Sequence, residues 1–339
     1  MGGIKIKQKI LLCNWTHRNN CSGGTENRYA YLKQVFPDAE LISYADLFNK
    51  GNSKIKNYKE AIKKIDEYYL KRYEEDKNIL IIRDAEFGGV LDISEIPQIL
   101  IFGNPYKSLR KLFGINYSKY LLRPRISEKT KKIDVSNFMK QDTSVVFENI
   151  IPNPVDIDFF KPLWNKKEEL RAKYKIPRDK KVGMWVGSTD IPIKNIMVIK
   201  KLINIFGEEI FWILVSKNEN KVSDEKRCKI FCKIDKETIR DLYNCVDFFI
   251  LTSPIEGCNH TIFEAMSCNL PVIVSKTGYF YDFWDNRIGF RIDWNDLLNH
   301  IGSVKIIDKI KTNSRQVIID QKLDLKNWGE KWKKIVKQL

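Results

Sequence analysis

The densest chemistry in the sequence lies in one stretch, 252–278, which reads TSPIEGCNHTIFEAMSCNLPVIVSKTG. A strand is expected to end at Thr252, a loop to carry Glu256 and Gly257, and a short helix to begin near Thr261. Free N–H groups at such a helix start, with the positive end of the helix dipole, favour an anion of the phosphate type. Glu256 in the loop and Glu264 in the first helical turn can reach one crevice without sharing a helix face. A carboxylate presents paired acceptors, which suits the vicinal hydroxyls of a sugar. Blander readings stand beside these. Thr261 and Glu264 have the spacing of a capping box, with Thr261 at N-cap and Glu264 at N3, and Glu256 alone reads as a solvated loop acid.

The elements that would hold this stretch alternate through the whole chain. Strands are expected at 9–13, 39–44, 78–83, 98–102 and 144–150, with helical periodicity after Gly24 and over 55–73. The rhythm then restarts. Helices are expected at 164–174, 194–205, 236–244 and 261–267, and strands at 181–186, 210–215, 227–232, 247–252 and 271–275. Such βαβ alternation predicts an α/β protein of two doubly wound parallel sheets, joined near 152–162. In open sheets of this kind ligands bind beyond the carboxyl ends of the strands. The loops of interest are therefore those after each strand, including 14–24, 187–194, 233–235, 253–260 and 275–281. The last stretch, 325–339, reads as an amphipathic helix with Trp328, Trp332, Ile335, Val336 and Leu339 toward one side.

The pattern Glu256-Gly257 … Glu264-Ala265-Met266-Ser267-Cys268 … Pro271-Val272-Ile273 resembles the donor-site signature of family-4 glycosyltransferases with the GT-B fold. Three further segments agree in the family's order. Gly23-Gly24-Thr25-Glu26 is similar to its N-terminal Gly-Gly-x-Glu loop, and Ile151-Pro152-Asn153-Pro154-Val155-Asp156 to its interdomain segment. Gly187 … Lys194 resembles the Gly … Lys loop that opens the second domain. The resemblance implies two Rossmann-like domains facing across a cleft: 1–157 for the acceptor and 158–323 for the nucleotide-sugar donor. The helix 324–339 would pack back on the first.

The resemblance also implies roles. Lys194 would neutralise the donor diphosphate, with Ser188 beside it and the N–H groups around His260 and Thr261 sharing that task. Glu264 would hold the ribose hydroxyls. Glu256, with the backbone of Gly257, Cys258 and Asn259, would hold the transferred sugar. The turn at Ile234 would line the base pocket, and Gly23 and Gly24 would let the backbone approach the sugar-phosphate closely. His17, in the loop after the first strand, is placed to face substrate. The expected reaction is retaining transfer to a glycan or lipid-linked acceptor, with no cofactor and no metal ligand. The chain departs from the family at Ser188, where an arginine is common, and at Asn259, where a second glycine stands. His260 replaces an apolar residue, and no histidine follows the strand ending at Phe102.

The 339 residues carry 59 Lys and Arg against 43 Asp and Glu, a net charge of +16. Hydrophobic residues at 43% and charged residues at 30% exclude a wholly disordered chain. Ten basic residues lie between Lys107 and Lys140, opposed only by Glu128 and Asp134 and mixed with Leu, Phe and Tyr. This segment is expected to touch an anionic membrane or a phosphorylated acceptor; a lysine-rich solvated face is the alternative. No nucleic-acid partner is expected. The seven cysteines and the absence of a signal-peptide pattern predict a cytoplasmic location, peripheral at the inner face of a membrane. Two rival functions stay open: a non-catalytic sugar- or nucleic-acid-binding protein of the same fold, and a nucleotide-sugar epimerase. No G-x-G-x-x-G follows the first strand, which argues against a Rossmann dehydrogenase.

Overall fold

The computed structural model describes residues 8–14, 24–43, 58–85, 90–104, 108, 111, 127–143, 146–217 and 226–339. These form two compact units, 1–153 with 326–339, and 154–325. In the first unit the strands are β1 (Lys9–Asn14), β2 (Glu40–Ser43), β3 (Ile79–Asp84), β4 (Gln98–Phe102), β5 (Thr130–Asp134) and β6 (Asn149–Ile150). They pair in parallel in the order β2-β1-β3-β4-β5-β6. The helices are α1 (Gly24–Val35), α2 (Tyr58–Glu75), α3 (Phe138–Thr143) and, from the far end of the chain, α10 (Leu325–Val336).

All residues of β3 and β4 are buried, as befits strands covered on both faces. Leu11, Ile65, Tyr69, Ile81, Ile93 and Ile96 make one core beside them. Charged groups also enter this layer. Arg83 donates to Gln98 Oε1 from Nε (3.3 Å) and Nη2 (2.8 Å), and its Nη1 lies 3.7 Å from Asp66 Oδ1, with both side chains fully buried. Asp66 Oδ2 in turn accepts from the amides of Val90 and Leu91. On α10, Trp328 and Trp332 are buried with ring centroids 5.7 Å apart. Gly329 faces Val35, where an added Cβ would lie 3.0 Å from Val35 Cγ2.

In this unit one expected strand is much shorter in the structure, and β5 and α3 were not foreseen. The strand expected over 144–150 shrinks to the two residues of β6, while β5 occupies 130–134 inside the basic segment. Hydrophobicity misled here. Val146 is 80% exposed, and Phe147 leaves the ladder to pack edge-on against Phe102 at 5.0 Å. Lys131 and Lys132 lie half-buried within β5, and Lys129 reaches Glu95 at 2.9 Å, so these three cations belong to the sheet and its edge. Residues 107, 109–110 and 112–126, about half of the expected membrane-facing segment, lie outside the described residues.

The second unit contains β7 (Lys181–Val186), β8 (Ile210–Ser216), β9 (Cys228–Cys232), β10 (Phe248–Ile250), β11 (Val272–Ser275) and β12 (Gly289–Ile292), ordered β12-β11-β10-β7-β8-β9 and wholly parallel. Its helices are α4 (Lys167–Lys173), α5 (Ile196–Phe206), α6 (Lys236–Cys245), α7 (His260–Ser267), α8 (Leu297–Ile306) and α9 (Ser314–Asp320). All seven residues of β8 are buried. Trp185, Trp212, Phe248, Leu202 and Ile273 fill the centre of the core. Gly183 in β7 makes room for these rings, because a Cβ there would sit 2.5 Å from Phe248 Cζ and 2.8 Å from Trp212 Cζ3. Among the described residues no helix is long and apolar enough to cross a membrane.

Candidate active site at the carboxyl edge of the second sheet

The order of the second sheet fixes where a ligand can sit. From β7 the chain steps outward to β8 and β9, then returns to the other side of β7 as β10. Loops leaving β7 and β10 therefore diverge from adjacent strand ends and open a crevice, the usual ligand position in such sheets. Lys194 comes from the first loop and Glu256 from the second.

Each loop is fastened before it presents its side chain. After β7 the chain makes a single 3-10 turn, Pro192–Lys194, and reverses at Asn195, a left-handed residue at φ 50° that separates the turn from α5. The helix expected from 194 thus starts at Ile196, and Lys194 closes the turn before it. The Lys194 carbonyl accepts from Thr252 Oγ1 at 2.8 Å, and that hydroxyl accepts from the Trp185 indole N–H at 3.0 Å. After β10, the Glu256 amide donates to Thr277 Oγ1 at 2.9 Å. Gly278, at φ +54°, lets the next loop press against this one: a Cβ there would lie 2.5 Å from the Gly257 carbonyl oxygen. Only glycine meets both demands.

The side chains then meet. Lys194 Nζ lies 2.6 Å from Glu256 Oε1, with the two side chains 23% and 13% exposed. The same oxygen accepts from Asn259 Nδ2 at 3.1 Å. Asn259 is the N-cap of α7, and its Oδ1 accepts from the Thr261 amide (2.9 Å) and the Thr261 hydroxyl (2.7 Å). The capping-box reading is thereby overturned. Asn259 occupies the cap, Thr261 is the second helical residue, and Glu264 falls in the second turn, too far along to reach back.

Glu264 is instead buried, and its Oε2 accepts from the Tyr243 hydroxyl at 3.1 Å. Burial raises its pKa to about 7 against the smaller opposing effects of the Tyr243 hydrogen bond and the Lys236 charge. The same burial, with the Glu264 charge next in weight, pushes the Tyr243 phenol well above its ordinary value. Tyr243 is a partner of the candidate site that sequence reasoning missed: it sits on an amphipathic helix where a buried tyrosine reads as ordinary core. Thr252, Thr277 and Trp185 were missed for the same reason, since they act on loops rather than on a ligand.

The remaining expected residues are placed as follows. His260 opens α7 and is buried, as are Gly257 and Cys258. Ser188 and Ile234 lie half-buried on the loops after β7 and β9. Gly24 is the first residue of α1. His17 and Gly23 lie outside the described residues. The triplet Asp156-Ile157-Asp158 has the Asp-x-Asp spacing of a cation-binding motif and was overlooked in the sequence. Asp156 Oδ1 accepts from the amides of Asp158 and Phe159 at 3.1 and 3.0 Å, the bonding of a turn.

At the carboxyl edge of the first unit's sheet a separate buried cluster forms. Arg28 on α1 bridges Asp84 Oδ1 (2.8 Å) and Asn153 Oδ1 (3.0 Å) and passes over Gly103. Burial lifts the Asp134 carboxyl, at the end of β5, to about 7.

Comparison with known proteins agrees with this architecture. Residues 180–301, which contain the Lys194–Glu256–Asn259–Glu264 constellation, match the family model described as Glycosyl transferases group 1. This segment is similar to group 1 glycosyltransferase domains. The chain is 23% identical over 174 residues to TuaC of Bacillus subtilis (strain 168), a protein named as a glycosyltransferase of teichuronic acid biosynthesis. That alignment covers 51% of this chain and 42% of TuaC, so the chain matches less than half the length of this curated relative. Among solved structures, sucrose-phosphate synthase from Thermosynechococcus elongatus is similar at a TM-score of 0.78 and 15% identity, covering 98% of both chains. HepE of Anabaena, in complex with UDP-glucose, is similar at 0.74 and 17% identity, covering 98% of this chain and 100% of that one. The fold as a whole is GT-B.

Proposed function

We propose that the protein transfers a sugar, with retention of anomeric configuration, from a nucleotide-diphosphate donor to a hydroxyl of a glycan or lipid-linked acceptor. The observation that carries this reading is the meeting of Lys194 and Glu256 at 2.6 Å, on the two loops that flank the switch point of the second sheet. An ammonium group and a carboxylate poised together match a donor with an anionic diphosphate and a hydroxyl-rich sugar. The UDP-glucose held by HepE is a donor of this class.

In this reading Lys194 and the N–H groups at the start of α7 take the diphosphate, Glu256 and the loop 257–259 the hexose, and Glu264 the ribose. The bond from the anomeric carbon to the diphosphate oxygen breaks. The acceptor oxygen attacks from the same face, and its proton passes to the departing diphosphate. The chain supplies position and charge complementarity rather than a nucleophile, and no step calls on a metal. The first unit, with the basic 107–140 segment, receives the acceptor, at an anionic membrane where that acceptor is lipid-linked.

A thermal-shift panel of UDP, GDP, ADP and their sugars tests the donor class. At a hundredfold excess over Kd a ligand confined to the native state adds about 2.7 kcal/mol, so at least one nucleotide family must raise Tm well above buffer alone. No shift with any of them refutes the proposal.

The pH dependence is expected to follow Glu264. A ribose hydroxyl pair donates to a carboxylate, whereas a protonated carboxyl loses acceptor capacity. With its pKa at about 7, donor affinity should rise through pH 6–8 and level off above. The folded-state pKa lies above the ordinary 4.5, so the same group favours the native state at low pH and loses that contribution as pH rises from about 4.5 through 7. Titration with a sugar nucleotide avoids the phosphate ionisation of free nucleotides near pH 6. A Glu264→Gln protein should show weaker binding and a flat profile; an unchanged slope would remove Glu264 from the ribose site.

A further inference from the structure

The groups proposed to bind the donor are, in this structure, bonded to one another, and one residue joins the carboxylate to the helix start. Asn259 Nδ2 donates to Glu256 Oε1, the oxygen that also takes Lys194 Nζ, while Asn259 Oδ1 occupies the Thr261 amide and hydroxyl. Lys194, Glu256, Asn259 and Thr261 thus form one continuous chain from the β7 loop to the first turn of α7. In that chain the Asn259 amide oxygen accepts where a phosphate oxygen would accept, and its NH2 group donates to the carboxylate where a sugar hydroxyl would donate.

We infer that Asn259 is a positioning residue that competes with the donor, so that its side chain must leave the Thr261 amide and Glu256 before the diphosphate and sugar can take their places. The inference rests on the functional reading above and deepens it: the residue at 259 sets how tightly the donor binds. Three features favour this over a purely structural cap. A cap needs only the Oδ1 contact, yet the other end of the amide is spent on Glu256. Both ends engage groups within 3.1 Å, so the side chain cannot rotate without giving up bonds at once. Finally, Glu256 Oε1 is shared between a cation and an amide donor, so Asn259 stabilises the ionised carboxylate in its present direction.

Two substitutions separate the outcomes. Asn259→Gly deletes both contacts, frees the Thr261 amide and remains an acceptable N-cap. Asn259→Asp keeps the capping oxygen but sets a second negative charge beside Glu256 and the incoming diphosphate. Calorimetric titration with the diphosphate and monophosphate of whichever base raises the wild-type Tm is the measurement, with Tm of each variant as the check on folding. Asn259→Gly is expected to bind the diphosphate about three- to tenfold more tightly than wild type and the monophosphate no more tightly. Asn259→Asp is expected to bind the diphosphate at least tenfold more weakly. A capping role alone would shift Tm and leave the diphosphate-to-monophosphate ratio untouched. Should Asn259→Gly bind the diphosphate equally or less tightly while wild type binds and Lys194→Ala does not, the competition is refuted and the donor site stands. Should wild type bind no nucleotide, both fall together.

Discussion

Replacing Lys194 by alanine is expected to lower sugar transfer by about 10²–10³-fold, the usual cost of deleting one preorganised charge from a site where charge develops. In the proposed reaction the departing diphosphate gathers negative charge as the glycosidic bond breaks, and Lys194 is a cation fixed at that edge of the second sheet: its carbonyl is tied to Thr252 and its ammonium to Glu256. Ser188, on the same loop, is uncharged and supplies no second cation. The fold should survive, because the Lys194–Glu256 pair is partly exposed and a pair of that kind contributes at most about 1 kcal/mol. Initial rates at saturating acceptor, with circular dichroism as the control for folding, decide the matter. A Lys194→Ala enzyme that retains near-normal turnover would take the site assignment with it.

The largest effect on stability is expected from Asp66→Ala, which should cost about 3–5 kcal/mol. The substitution takes the Asp66 carboxylate, 3.7 Å away, from the Arg83 guanidinium in a fully buried layer and strips the amides of Val90 and Leu91 of their acceptor. Against a typical total of about 5–15 kcal/mol, a loss of this size shifts the denaturation midpoint plainly. With two compact units, unfolding need not be a single transition, so the shift should appear in the transition of the first unit alone. Asp66→Asn is the informative companion, since it keeps an acceptor for the amides but not the charge, and should fall between the two.

The two-sheet architecture was legible because long buried strands announce themselves. The runs at 98–102 and 181–186 coincide with β4 and β7, and the doubly wound order follows from strands alternating with helices. Short edge strands did not announce themselves. TKKID reads as a charged surface, yet forms β5 because the backbone of β4 needs a partner, while the apolar run before β6 is only partly paired. At the site, residue types and spacing brought Glu256, Glu264 and Lys194 to notice, but not their arrangement. That Lys194 would meet Glu256 depends on β7 and β10 being neighbours, a fact of topology rather than of local sequence. Asn259 was singled out as a departure from a glycine; its three bonds could be seen only once the helix start had moved one residue earlier, to His260.

The placement of α10 has a consequence for how the polypeptide matures. Residues 154–325 are one uninterrupted stretch, whereas the first unit is completed by residues that follow that stretch. On the ribosome the early sheet emerges first, whereas Trp328 and Trp332, buried in the finished protein, follow only after the whole of the later unit has been made. Vectorial synthesis therefore lets the younger half finish first, and chaperones would meet the older half as the one left incomplete.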